Sequence, residues 1–123
     1  MSVAVVALTA SSDKASEYSI VIHSGEEESH YVVETDGTVL SNLPVEGKQI
    51  TIACKTNRAD GKLSGETYIA LVELTSQLIK EYDMRVNDVL RYYDVTGQES
   101  PRYFVERESA WEDFKLDLGK NLE

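Results

Sequence analysis

The first half of the chain has short runs in which apolar and β-branched residues dominate or alternate with polar ones, a pattern that predicts β-strands. These runs cover residues 3–9, 18–23, 30–34, 38–40 and 49–55. The polar stretch between the first two runs predicts an N-terminal β-hairpin over residues 1–23. Asp36-Gly37 predicts a second hairpin, because this dipeptide suits the tight turn between two antiparallel strands.

From residue 64 onward the apolar positions recur with the period of a helix. The stripe consists of Tyr68, Leu71, Val72, Thr75, Leu78, Ile79 and Tyr82. Ser64 precedes the stripe and is placed to cap the start of this helix. A short helix is predicted over residues 89–92, with Asn87 as its cap.

A further apolar stripe predicts a helix near the end of the chain. Ser109 followed by Glu112 fits a capping box, and Gly119 marks the expected end of this helix. Trp111 and Phe114 share one face of the helix, so we expect both in the core.

No repeat, low-complexity tract or linker divides the 123 residues, so a single domain over residues 1–123 is predicted. Strands and loops fill residues 24–63, and residues 64–119 form a helical half. This order predicts an α/β (α+β) fold in which helices cover a central mixed β-sheet.

The charge of the chain limits the partners that it can bind. The net charge is −10, and residues 1–48 hold eight acidic and two basic side chains. Direct nucleic-acid binding is not expected, because phosphates need a basic surface. A basic protein surface is the natural partner, unless the charge serves solubility alone. Glu26-Glu27-Glu28 is either a solvated turn or a contact point for that partner.

Three features bear on the compartment. Cys54 is the single cysteine and cannot form an internal disulfide. The apolar start over residues 1–8 lacks the preceding basic residue of a signal peptide. No apolar run is long enough to span a membrane. We therefore expect a protein of the host-cell cytoplasm with no membrane partner.

Three segments carry a resemblance to a known family. They are residues 20–23 (Ile-Val-Ile-His), residues 29–39, and a block over residues 68–114 that contains the run Tyr-Tyr-Asp-Val-Thr-Gly at 92–97. In order and spacing they resemble type 2 N-acetylmuramoyl-L-alanine amidases, whose fold is shared with peptidoglycan recognition proteins and phage endolysins. The resemblance runs from about residue 18 to residue 118 and implies the same fold.

The resemblance also implies a zinc site that has lost two of its three ligands. The family holds zinc with a strand histidine, which is His23 here, and with a second histidine and a cysteine, which are Tyr92 and Ser100 here. Neutral phenol and hydroxyl groups are poor zinc donors. The family's general-base glutamate corresponds to Ala53, and a lysine of phage relatives corresponds to Gln98. We therefore expect no zinc, no other cofactor and no amidase activity.

Several residues admit more than one interpretation. His23 is a relic of the metal site, a satisfied polar residue at a strand end, or part of a new site. His30 is expected to be structural. Tyr92 is expected to fill the space left by the metal, and Asp94 to fix the local turn. Cys54 is expected to be buried and inert, with a Cys54–His23 nucleophile pair as the alternative.

Two connections are shorter than those of the family. Only six residues separate His23 from His30, where the family has a helix and a long loop. The connection at residues 44–48 is also short, and its family equivalent lines the peptide groove. Both changes are expected to remove walls of the substrate cleft.

Three functions follow as hypotheses. In the first, an inactive amidase fold of phage or mobile-element origin binds and inhibits a basic host protein, most concretely a CRISPR effector nuclease or its guide-RNA complex. In the second, His23 and His30 act as an acid–base pair on RNA presented by a partner, with Lys48 or Lys55 steadying a phosphate. In the third, the protein recognises peptidoglycan without cleaving it.

Overall fold

A computed structural model of the protein describes residues 17–25 and 28–123. These residues contain a five-stranded sheet in the order β3-β2-β4-β1-β5. The strands are β1 (Ser19–Ser24), β2 (Tyr31–Val33), β3 (Val39–Ser41), β4 (Gln49–Cys54) and β5 (Val89–Arg91). β1 pairs in parallel with β4 and β5, β2 pairs in parallel with β4, and β2 pairs antiparallel with β3. The hairpin predicted at Asp36-Gly37 is the β2–β3 connection.

Helices occupy much of the second half of the chain. They are α1 (Gly65–Glu81), α2 (Tyr92–Thr96), α3 (Arg102–Glu106) and α4 (Glu108–Leu122), with a 3₁₀ turn at Val86–Asp88. Ser64 caps α1 as predicted, because its Oγ accepts the N–H of Thr67 at 3.1 Å. The predicted α+β fold with a mixed sheet and covering helices is confirmed. No helix within the described residues is long and apolar enough to cross a membrane.

The core lies between one face of the sheet and the helices. Side chains alternate between the two faces of a strand, and Ile20, Ile22, Ile50 and Ile52 point to the helix side, where all are fully buried. Three aromatic side chains close this layer: Phe104, Trp111 and Phe114, with ring centroids 5.4–5.5 Å apart. The core positions predicted for Trp111 and Phe114 are confirmed.

The N-terminal hairpin predicted over residues 1–23 needs correction. Residues 1–16, which include its first arm, lie outside the described residues. The second arm is β1, and its hydrogen-bonding edges are occupied by β4 along Ser19–Ser24 and by β5 at Ile20–Ile22. No edge is therefore left along Ile20–Ile22 for an antiparallel hairpin partner.

The helix predicted over residues 89–92 is also wrong. Val89–Arg91 is a strand, because Val89 pairs with Ile20 and Arg91 pairs with Ile22 at the edge of the sheet. Asn87 lies inside the preceding 3₁₀ turn and caps nothing. Here pairing between distant segments outweighs local preference. The helical half predicted over residues 64–119 thus contains an edge strand.

The boundaries predicted for the last helix are corrected as well. Ser109 is already helical, and Arg107 occupies the cap position without a side-chain hydrogen bond. The helix continues past Gly119 to Leu122. A glycine ends a helix when it adopts a left-handed conformation, and Gly119 does not adopt one.

Candidate functional site

The candidate site lies where β1 ends, on the sheet face opposite the core helices. Strand alternation places His23 on this face, since Ile20 and Ile22 take the other. Ala53 is the register partner of His23 on β4. His23 is 2% exposed, and its Nε2 lies 2.6 Å from Oγ of the equally buried Ser29. The imidazole is therefore closed off from solvent.

Tyr92 lies beside this imidazole. It is the first residue of α2, and it follows directly on Arg91, which pairs with Ile22 next to His23 in β1. The ring centroids of Tyr92 and His23 are 5.6 Å apart, with planes tilted by 48°. The phenol ring thus packs against the histidine at a distance typical of aromatic pairs.

Ser100 reaches the same strand end from the other side of α2. The backbone N–H of Ser24 donates to Ser100 Oγ at 2.8 Å, and this hydroxyl donates to the Ser24 carbonyl at 3.3 Å. The Ser100 carbonyl accepts the N–H of Tyr93 at 2.9 Å, and the following peptide bond to Pro101 is cis. The structure therefore brings together the three positions predicted from the resemblance: His23, Tyr92 and Ser100.

This donor set does not fit the zinc that the fold family would imply. Nε2 of His23 is engaged by Ser29, and the Ser100 hydroxyl is engaged by the strand backbone. A catalytic zinc needs three donors of imidazole, thiolate or carboxylate type, and only one is present. Within residues 17–25 and 28–123, no three His, Cys, Asp or Glu side chains are grouped to hold a metal ion.

The position predicted to have lost the general base is Ala53. Its methyl group is 1% exposed and lies next to His23 on the neighbouring strand. An alkyl group cannot accept a proton from water. The site therefore has no proton acceptor at the place where the resemblance puts one.

His30 is bonded into the sheet. Its ring Nδ1 accepts a hydrogen bond from the backbone N–H of Thr51 at 3.0 Å, and the backbone N–H of His30 donates to Thr51 Oγ1 at 3.1 Å. His23 is bonded instead to Ser29, so the two histidines have separate partners. His23 is also buried, so the geometry does not favour an acid–base pair acting on RNA.

The two lysines considered for phosphate binding lie at opposite ends of β4. Lys48 precedes the strand and forms an ion pair with Glu17 at 2.8 Å. Lys55 follows the strand and lines an open hollow of about 280 Å³. Glu28, Glu34 and Ala53 also line this hollow, which therefore lies next to the position that the sequence resemblance assigns to a general base. Glu26 and Glu27 lie outside the described residues, so their role as contact points stays a prediction.

Cys54 is separated from His23 by the sheet itself. Cys54 belongs to the core cluster on the helix side, whereas His23 lies on the opposite face. Burial raises the pKa of the Cys54 thiol to about 12. A thiol with so high a pKa is inert at neutral pH, and the alternative Cys54–His23 pair is not assembled.

Asp94 fixes the turn after β5, as predicted, and does so through Arg91. Nε and Nη2 of Arg91 donate to both oxygens of Asp94 at 3.1 and 2.8 Å. Nη1 donates to the Phe104 carbonyl and to Glu108, both at 3.0 Å. Burial alone would raise the pKa of the Asp94 carboxyl, but the hydrogen bonds from Arg91 outweigh it and the pKa is lowered.

Arg91, Ser29 and Ser24 were not singled out by the sequence patterns. The Arg-x-x-Asp spacing from Arg91 to Asp94 is a signal that could have identified the first of them. The serines carry no such signal, because their partners His23 and Ser100 become neighbours only in the folded chain.

Comparisons with known proteins place this geometry in a known fold. No protein-family model matches the chain, and no curated protein matches it. Among solved structures, the chain is similar to a mutant of PlyL, with a TM-score of 0.71, 15% identity, and 85% of this chain and 86% of that chain covered.

Two further solved structures agree with that match. One is the N-acetylmuramoyl-L-alanine amidase LysC from Clostridium intestinale URNW, with a TM-score of 0.63, 16% identity, and 84% and 87% of the two chains covered. The other is a mutant endolysin from Bacillus subtilis, with a TM-score of 0.68, 17% identity, and 85% and 86% covered. Identities this low show the fold alone, and the chain has an amidase-like fold of the endolysin type.

Proposed function

We propose that the protein is a non-catalytic amidase-like fold that binds and inhibits a basic host protein. The observation that carries the first half of this proposal is the state of the former ligand positions. Their only imidazole, His23, is buried against Ser29 and Tyr92, while Ser100 is bonded to the strand backbone. A site with a single imidazole as metal donor, and with the methyl group of Ala53 where a general base would lie, has no means of activating water.

The charge supports the second half of the proposal. The chain has 22 acidic and 12 basic side chains, so its field attracts a basic surface and speeds encounter with it. Nucleic-acid enzymes carry such surfaces because they must bind phosphates. An acidic protein that covers the phosphate-binding surface competes with the nucleic acid for it.

A CRISPR effector nuclease, alone or with its guide RNA, is the concrete candidate for the partner. The choice rests on the likeness to endolysins, since phages and mobile elements benefit from blocking such nucleases. An amidase-like fold of this origin would be reused inside the host cell. This role would be independent of zinc and of peptidoglycan.

The proposal is tested with purified protein and a purified effector nuclease loaded with guide RNA. We expect a stable complex that weakens as salt is raised, because the attraction is electrostatic, and a loss of DNA cleavage when the protein is in excess. Peptidoglycan hydrolysis with added zinc serves as the parallel assay and is expected to stay at background. Unimpaired cleavage without complex formation across a panel of effector nucleases would refute the choice of partner. Zinc-dependent peptidoglycan hydrolysis would refute the non-catalytic assignment.

A further inference from the structure

A second hollow lies on the helical side of the molecule, away from the former zinc positions. It is an open hollow of about 510 Å³, bordered by the loop before α1, the first turn of α1, helix α3, and helix α4 as far as Asp117. Leu63, Tyr68, Tyr103 and Ala110 form much of its wall. This volume is within the range of about 300–1,000 Å³ that is common for ligand sites. We call it the α1–α4 hollow.

Two carboxylates one helical turn apart face this hollow from α4. They are Asp113 and Asp117, and Lys62 is the one cation among the lining residues. The Tyr68 hydroxyl donates a hydrogen bond to Asp117, which holds that carboxylate in place. Within the described part of the chain, neither carboxylate has a Lys or Arg close enough for an ion pair. The hollow therefore combines aromatic walls with negative charge that is not paired internally.

The apolar surface continues beyond the hollow along the groove between α1 and α4. A shallower depression of about 170 Å³ shares Tyr68 and Asp117 with it and adds Ile69, Val72 and Glu73. Ile69 is 60% exposed, so this end of the strip is open to a partner. Together the two depressions form a strip that is apolar in its floor and acidic at its edge.

We propose that the α1–α4 hollow is the docking site for an arginine side chain of the basic protein partner. A guanidinium is weakly hydrated, stacks on aromatic rings and bonds carboxylates through two N–H groups at once. Its methylene stem suits the Leu63 and Ala110 wall. The Tyr103 ring already has the Arg107 guanidinium 4.8 Å from its centroid, so the arginine of the partner would take the Tyr68 side of the hollow, beside Asp117.

This inference rests on the proposed function, because it names the surface through which the basic partner would bind. The other acidic surface that could bind the partner is the hollow next to Ala53. Glu28 and Glu34 line that hollow together with Lys55. The α1–α4 hollow offers aromatic walls in addition to its charge, whereas the other hollow offers none.

The test uses the full chain and a short acetylated peptide, Lys-Ala-Arg-Ala-Lys-amide, with a matched peptide that carries neutral citrulline instead of arginine. Backbone NMR shifts are followed during titration. We expect the arginine peptide to move signals of residues around Tyr68, Tyr103 and Asp113, and the citrulline peptide to bind roughly tenfold more weakly.

Variants then separate this hollow from other acidic surfaces. Asp113→Asn and the double variant Asp113→Asn/Asp117→Asn are expected to weaken binding of the arginine peptide, the double variant by roughly tenfold. Glu112→Gln removes the same charge from a neighbouring exposed residue outside the hollow and is expected to change little. Asp113 is itself exposed, so the single variant remains informative if the double variant unfolds.

The same variants distinguish the two proposals. If a basic partner binds the wild type and Asp113→Asn/Asp117→Asn equally well, the hollow is not the docking site and the proposed function stands. Signal shifts confined to Glu28 and Glu34, equal binding of the citrulline peptide, or no peptide binding would each overturn this inference. If no basic partner binds the wild type at all, the proposed function falls as well.

Discussion

The two faces of the central sheet are built on different principles. On the helix side, Ile20, Ile22 and their neighbours meet Phe104, Trp111 and Phe114 in a continuous apolar layer. On the other side, His23 is bonded to Ser29 and packs against Tyr92. The first face stabilises the fold, and the second holds the histidine that the sequence resemblance assigns to a zinc site. An amidase-like fold can therefore persist without a fitting donor set, because the two tasks depend on separate side chains.

The largest loss of stability should come from a substitution in the apolar layer on the helix side of the sheet. Phe114→Ala removes a fully buried ring from the aromatic cluster and should lower the free energy of unfolding by about 3–5 kcal/mol, through lost burial and a residual cavity. Leu116→Ala is the matched control on the same helix, because Leu116 is 63% exposed, and should change stability by less than about 0.5 kcal/mol. Urea denaturation measures both. Comparable losses in the two variants would contradict the assignment of the core.

The next effect concerns the turn that carries Tyr92. Asp94→Asn removes the negative charge that accepts hydrogen bonds from Nε and Nη2 of Arg91, and it should lower the free energy of unfolding by about 2 kcal/mol at neutral pH, typical of a hydrogen bond to a charged group. Asp113→Asn is the matched control, because Asp113 is exposed and has no ion pair in the described residues. Thermal unfolding followed by circular dichroism measures the difference. Equal stability of the two variants would show that the Arg91 contacts do not fix the turn.

The ion pair between Arg91 and Asp94 also predicts how stability changes with pH. The folded-state pKa of Asp94 is lowered below its usual value of 3.8, so its contribution is fully present above that value. The contribution is lost as pH falls through the folded-state pKa, because protonation then removes the charge. The stability difference between wild type and Asp94→Asn should therefore shrink on acidification below about pH 4. A difference that stays constant down to strongly acidic pH would contradict this.

The sequence predicted the elements whose signals are local. Ser64 and the helical stripe identify α1, and Asp36-Gly37 identifies the β2–β3 hairpin, because capping and turn formation involve residues a few positions apart. The strand at Val89–Arg91 was missed, since it exists only through its pairing with β1 about seventy residues earlier. The Ser109 cap was misplaced because the helix already begins at Glu108, with Arg107 as its cap residue.

The candidate site shows the same division. Its positions followed from a resemblance in order and spacing, and the fold brings His23, Tyr92 and Ser100 together. The contacts that these three side chains make could not be predicted. The contact between His23 and Ser29 joins residues six positions apart, and no local pattern in the sequence marks it.

A smaller loss of stability is expected from removing the contact between His23 and Ser29. Ser29→Ala removes the hydroxyl that lies 2.6 Å from His23 Nε2 and should cost about 1 kcal/mol, because a buried ring nitrogen loses a partner. Ser109→Ala is the matched control, since Ser109 is exposed and does not cap its helix. Chemical denaturation measures both variants. A Ser29→Ala protein as stable as wild type would show that the contact does not support the strand end.

Zinc stoichiometry is the measurement that tests the central claim most directly. Purified protein is incubated with excess zinc and dialysed, and bound metal is determined for wild type and for Tyr92→His/Ser100→Cys, which restores two donors beside His23. We expect the wild type to retain far less than one equivalent. The double variant should retain one equivalent, because two imidazoles and a thiolate form a donor set that suits zinc. One equivalent of zinc in the wild type, released by His23→Ala, would contradict the account.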